Sequence, residues 1–294
     1  MKKKHNSAIA VDRFMTVVLY FVAGFFLLLL AAFTAYILYR GFRNFSPALL
    51  AFNENGIGNQ LFNTIYLVFL ALVISVPFGL AAGIYMAEYA KPGRLTSFLR
   101  TCIETLSSLP SIVVGLFGYL VFVVLVGGKW SLIAGALAIS ILSLPLITTT
   151  TEDALHAVPH SWKEGSFALG ATHWQTIAHV MLPACVPRII TGVILAAGRG
   201  FGEAAALLYT AGMSTDINWS RWNLASPTCP LNPFRPGETL SLHIWSQRTE
   251  AVAANAGQIA DISSAVLIIL VFAFSIGARA VGRNLDRKMT GSKD

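Results

Sequence analysis

The sequence predicts an all-α integral membrane protein with six transmembrane helices, and three observations carry that prediction. Of its 294 residues, 55% are hydrophobic and only 12% charged, with a mean hydropathy of +0.65. Soluble domains carry about a quarter charged residues, and a soluble chain of this length needs more polar surface than this one has. The apolar residues fall in continuous runs of about 20, the length that crosses a ~30 Å hydrocarbon core as a helix. No run alternates with period two, as the strands of a membrane barrel do. Disorder, coiled coil and collagen fail on the same composition.

The six runs cover 14–38, 61–86, 111–126, 131–148, 188–211 and 259–281. The first follows Met1-Lys2-Lys3-Lys4. It is too long for a signal peptide and lacks a small-residue cleavage site, so it is expected to be retained. The third is the shortest, and Pro110 with the mixed segment before it blurs its start. Pro77 and Pro145 are expected to bend the second and fourth. With the N-terminus inside, 14 of the 21 Lys and Arg fall on the inner side. Six fall outside (Arg40, Arg43, Lys129, Arg221, Arg235 and Arg248), and Arg199 lies within the fifth run. The asymmetry predicts both termini in the cytoplasm of a multi-pass protein. It also accounts for the net charge of +7 without a nucleic-acid partner. Cys102, Cys185 and Cys229 show no metal or redox spacing. Only Cys229 falls outside, so no disulfide is expected.

Two connections are long. The outer one, 212–258, holds Trp219, Trp222 and Trp245 with Pro227, Pro230, Pro233 and Pro236. Proline at that density forbids regular helix, so 213–237 reads as a cap. Its tryptophans read as interfacial anchors or as contacts for an external protein. The inner one, 149–187, reads as two short amphipathic helices broken at Gly170, with Pro183 and Pro187 limiting helix before the next run. Such an element at the membrane surface is able to enter a groove on a soluble partner.

Within that inner connection, Glu164, Gly165 and Ser166 are followed by Ala168, Gly170 and, after nine residues, Val180-Met181-Leu182-Pro183. This spacing resembles the signature loop of type-1 ABC importer permeases, with Gly165-Ser166 in place of the common Ala pair. The resemblance implies that Glu164, Gly165, Ser166, Ala168, Gly170, Leu182 and Pro183 form a coupling helix that docks on an ATP-binding subunit. Leu109-Pro110-Ser111-Ile112-Val113-Val114-Gly115, Glu88-Tyr89-Ala90, Thr151-Glu152-Asp153-Ala154-Leu155 and the run 191–208 narrow the likeness to phosphate-importer permeases. The segment 239–244 resembles the A-type subunit, except that Ser241 stands where that segment commonly has Pro. The likeness implies a leading helix and linker (1–58), a permease core (59–283) and a cytoplasmic tail (284–294). It implies a bacterial inner-membrane location and half of a phosphate pore. The expected partners are a second, C-type permease in a pseudo-symmetric heterodimer, a dimer of ATP-binding subunits and a periplasmic phosphate-binding protein. ATP and Mg would be held by the ATPase, and no cofactor by this chain, which lacks a Walker A sequence. Sulfate or molybdate is the alternative substrate.

Arg199 and Glu203 stand out on physical grounds. Counted from Arg188, Arg199 lies about 16 Å deep at 1.5 Å per residue, where a charge costs ~2.5–3.5 kcal/mol. Four residues apart on one helix, the two side chains are expected to share a face. They either neutralise each other or line a substrate path, Arg199 meeting an oxyanion and Glu203 keeping its release easy. Glu152, Asp153, His156 and His160 make a candidate metal site for a membrane metallohydrolase, weakened by Pro159. Glu88 and Glu104, beside Lys91, Arg94 and Arg100, read as surface ion pairs.

Overall fold

A computed structural model describes residues 2–43, 45–53, 56–214, 216–250 and 255–290, the side chains of 2–10 and 285–290 excepted. The basic cluster Lys2 to Lys4 and the tail beyond Asn284 therefore fall wholly or partly outside the described side chains. In chain order the helices are α1 (Lys2–Arg43), α2 (Gly58–Ile84, continued by a π turn Tyr85–Tyr89), α3 (Arg94–Ser108) and α4 (Ser111–Gly118, continued by a π turn Tyr119–Leu125). They are followed by α5 (Leu132–His156), α6 (His160–Ala168), α7 (His173–Thr176), a π turn (Ile177–Met181) and α8 (Leu182–Gly202). Then come α9 (Ala205–Thr210), α10 (Leu240–Thr249) and α11 (Ala256–Thr290). Among the described residues there is no strand.

Five stretches are long and apolar enough to cross a membrane: Val11–Arg43, Gly58–Tyr89, Leu132–His156, His173–Gly202 and Ala256–Asn284. The sixth expected span differs from its sequence reading. The segment 111–125 is one arm of a broken pair, bent by 102° from α3. The bend falls at Leu109-Pro110, both extended, because proline disfavours helix in the residue before it. Pro77 and Pro145, by contrast, lie inside unbroken helices.

Lipid offers helices no hydrophobic reason to associate, so close backbone approach and interhelical hydrogen bonds hold such a bundle. Here α2 and α5 supply both. A Cβ on Gly83 would lie 2.5 Å from Thr151 Cβ, and one on Gly79 would lie 2.7 Å from an Ile147 methyl. The Ser140 hydroxyl donates to Ala71 O at 3.1 Å. Leu67, Ala71, Leu132, Ala136, Ile139 and Leu207 fill the interior between α2, α5 and α9. At the outer flank α1 packs on α11. Asp261 there accepts from Arg40 at 2.9 Å and from Arg248, and Gly41 lets the two backbones meet.

The lower end of the bundle carries Ala157 to Thr172, and the upper end carries 216–250.

Candidate functional site

The lower connection is shorter than its sequence reading. α5 runs on to His156, and α7, the π turn and α8 form one rod from His173, so only 157–172 lies between rods. Pro183 and Pro187 do not end the helix: Pro183 comes just after the π turn Ile177–Met181, and Pro187 is carried inside α8. α6 starts after extended Pro159 and stops before Gly170, whose φ of +84° suits glycine. Nothing lies within 4 Å of a Cβ there, so the demand is conformational. The next helix starts with a capping box, Thr172 Oγ1 accepting from Gln175 N at 3.3 Å and Gln175 Oε1 from Thr172 N at 2.8 Å.

The seven signature residues divide into a face and a mount. Glu164, Gly165, Ala168 and Gly170 are exposed. Glu164 pairs with its helical neighbour His160 at 3.1 Å, and Gly165 has open space about it. Leu169 at the tip is 91% exposed, beside exposed Phe167 and Trp174. On the other side Ser166 meets the Thr176 hydroxyl at 2.9 Å. Leu182 packs on the cluster Ala154, Leu155, Ile177, Met181 and Cys185, and Pro183 is half-buried.

The sequence reading missed what holds this knob in place. Glu88, at the lower end of α2, does not pair with Lys91 or Arg94 at the surface. It is only 5% exposed, and its Oε2 accepts from Lys163 of α6 and from His173 Nε2 at 3.0 Å. The Tyr89 ring lies 4.9 Å from the His173 ring. A carboxylate in the last turn of an apolar run was the available signal, since such a group has to find a cation or remain in water. Glu88→Gln keeps the shape and loses two charge-assisted bonds, each worth about 1.5–3 kcal/mol. We expect faster proteolysis confined to 157–172, with the rest of the bundle as stable as wild type. Uniform protection would show that the tie is not needed.

The cluster Glu152, Asp153, His156 and His160 is not brought together. Glu152 is buried and bound by Arg100 at 2.7 Å, and His160 turns to Glu164. Among the described residues no three His, Cys, Asp or Glu side chains converge as a metal site.

Arg199 and Glu203 do not share a helical face. α8 ends at Gly202, and Glu203 is extended (φ −73°, ψ 124°). Its Oε1 instead accepts from Ala206 N at 3.2 Å, and its carbonyl accepts from the Ser241 hydroxyl at 2.6 Å. The glycines at 198, 200 and 202 weaken the helix, and these two polar contacts satisfy the backbone groups that the break frees, as apolar surroundings require. Proline at 241 has no hydroxyl for that carbonyl. Arg199 is exposed, with no ion pair among the described residues. Its neighbour Gly200 faces Val68 and Ile139, deep in the bundle, while Gly198 and Gly202 meet nothing within 4 Å. Thr191, Leu195, Arg199 and Gly202 thus form an open stripe along α8.

The upper connection is anchored rather than loose. Arg235 is 1% exposed. It donates to Asn63 Oδ1 at 2.6 Å and to the carbonyls of Cys229, Pro230 and Pro236. Burial pushes its pKa down to about 10, so it remains a cation at neutral pH. Glu238 accepts from Gln60 at 3.1 Å and His243 at 2.9 Å. Trp219 donates to Asn59 at 3.0 Å between the rings of Phe52 and Phe62. Trp219 is therefore an internal strut, while Trp222 is exposed. Arg235→Met strands several buried acceptors, and the expected loss is about 3 kcal/mol, read as a lowered Tm in detergent. An unchanged Tm would mean that water or other donors replace the guanidinium.

The fold can be set beside known proteins with these features in view. Residues 79–291 match the family of "Binding-protein-dependent transport system inner membrane component", a span that contains the knob, α8 and both arms of the broken pair. The chain belongs to this family. It is 50% identical over 238 residues to the "Probable ABC transporter permease protein YqgI" of Bacillus subtilis, covering 81% of each chain. It is 33% identical over 228 residues to the "Phosphate transport system permease protein PstA" of Xylella fastidiosa, covering 78% of this chain and 75% of that one. Among solved structures, a chain of the MetNI methionine ABC transporter in an inward-facing conformation superposes with a TM-score of 0.57 at 19% identity, over 82% of this chain and 99% of that one. A chain of a bacterial alginate ABC transporter superposes with 0.67 at 14% identity, over 96% and 98%. These two likenesses concern the fold. The permease is thus an ABC importer subunit of the inner-membrane type, not an enzyme, and ATP hydrolysis belongs to a separate subunit. Importers of this family work with an ATPase and a substrate-binding protein.

Proposed function

We propose that this permease forms half of the translocation pore of an ATP-driven phosphate importer. The observation that carries the proposal is the pairing of two features on opposite parts of one rod. At its lower end, α8 is continuous with an exposed apolar knob held rigidly to α2. At mid-membrane, the same rod presents Arg199 on an open stripe. A push on the knob by an ATPase moves the rod, and with it the guanidinium, as one body. Glu164, Gly165, Ser166, Ala168, Gly170, Leu182 and Pro183 form the coupling element. Arg199 lines the substrate path and offers phosphate a planar, two-donor contact. Glu203 takes a different part from a direct counter-ion, since it stabilises the helix break above Arg199.

Phosphate is favoured over sulfate or molybdate by the resemblance in 239–244 and 109–118 and by the likeness to the Xylella phosphate transport system permease. The partners are a second, C-type permease completing a heterodimeric pore, two ATP-binding subunits that hold ATP and Mg, and an external phosphate-binding protein. In this reading the lower end and both termini face the cytoplasm, an orientation that the Lys and Arg asymmetry supports. Uptake of labelled orthophosphate into vesicles holding the assembled transporter tests the substrate. Excess unlabelled phosphate is expected to compete and equimolar sulfate or molybdate is not. Equal competition by sulfate would move the assignment to another oxyanion.

A further inference from the structure

Between α8 and α11, at the lower end, lies a cleft of about 270 Å³. Pro187, Ile190, Thr191 and Ile194 form one wall, mostly apolar, and Arg279, Gly282 and Arg283 the other. Gly282 is buried at the base, where a Cβ would approach Ile190 Cδ1 to 3.2 Å, so the two helices nearly touch beneath the opening. Arg279 and Arg283 stand one helical turn apart on one face, a spacing at which like charges repel. Both are exposed, and neither is ion-paired among the described residues. Two unpaired guanidiniums at the mouth of an apolar cleft are arranged for an anion.

The depth and the neighbours identify the kind of anion. Asp261 marks the upper end of α11 through its pairs with Arg40 and Arg248. Arg279 lies about 27 Å further along at 1.5 Å per residue, close to the ~30 Å of a hydrocarbon core and so at its lower boundary. Phe272 and Ile276 precede Arg279 and Arg283 on the same stripe of α11, and both are exposed. The stripe is therefore apolar toward the membrane centre and basic at the headgroup level. A soluble anion has no use for the apolar half. We propose that this cleft is a binding site for an anionic phospholipid, the phosphodiester bridging Arg279 and Arg283 and an acyl chain lying along Ile276 and Phe272. Basic pockets between transmembrane helices at a headgroup boundary bind such lipids on this principle. The proposal does not depend on the transported substrate.

The test uses the full chain in nanodiscs of phosphatidylcholine containing a minor fraction of cardiolipin, with bound lipid read by native mass spectrometry. Wild type is expected to retain cardiolipin about tenfold over its share of the bilayer. The double variant Arg279→Gln/Arg283→Gln is expected to lose that preference with an unchanged Tm. Should that variant fail to fold, Arg279→Lys/Arg283→Lys serves instead and is expected to keep a reduced preference. Adding inorganic phosphate is expected to displace nothing. Retention in proportion to bilayer content, an undiminished preference in the Gln variant, or displacement by inorganic phosphate would each overturn the proposal.

Discussion

Arg199→Ala is expected to lower phosphate uptake by about 10- to 100-fold while assembly and ATP hydrolysis persist. The magnitude is that of one or two charge-assisted hydrogen bonds, about 1.5–3 kcal/mol, withdrawn from an anion partway across the membrane. Separation from a folding effect is clean here, because Arg199 is exposed on an open stripe and has no ion pair among the described residues. Arg199→Lys keeps the charge and loses the planar fork, so it is expected to fall between the two. The measurement is labelled uptake in vesicles beside ATPase activity of the same preparation. Normal uptake by Arg199→Ala at matched expression would assign the arginine to the subunit interface and remove it from the path.

Leu169→Asp is expected to have an equally large effect at the other end of the rod. The side chain is 91% exposed, so this chain alone gains nothing from it and its fold should be indifferent to the change. A knob of exposed Phe167, Leu169 and Trp174 makes sense only when covered, and a buried carboxylate in its place costs several kcal/mol. Co-purification of the ATP-binding subunit should fall at least tenfold, and uptake with it, at unchanged Tm. Undiminished co-purification would show that the ATPase grips the outward face of Glu164, Gly165 and Ala168 without the tip.

The two variants separate the two halves of the proposal. Arg199→Ala should leave a coupled but non-conducting assembly, and Leu169→Asp an intact permease without its motor.

The spans were legible because each had to be continuous and apolar to satisfy its own backbone in lipid, a demand met residue by residue along the chain. The turn at Gly170 was legible for a similar reason, since a positive φ leaves its mark on one residue. Where contacts come from distant segments, the reading failed. Arg199 and Glu203 were paired by their spacing, but the spacing holds only if the helix continues, and Ser241, 38 residues away, helps to stabilise the break. Glu88 was read as a surface ion pair with its neighbours, whereas its partners Lys163 and His173 lie 75 and 85 residues away. The proline-rich cap offered no hint that Arg235 would be drawn to Asn63.

The chain's order of residues was therefore enough to decide that it crosses the membrane several times and where the turn at Gly170 falls, because hydropathy and short-range turn chemistry are properties of neighbours in sequence. Which charges meet, where the rod ending in α8 stops, and that a cleft between α8 and α11 gathers two arginines over a mostly apolar wall were decided only by folding. Those outcomes depend on which polar groups, far apart along the chain, are brought within hydrogen-bonding reach where water is scarce, and on which of them are left without a partner.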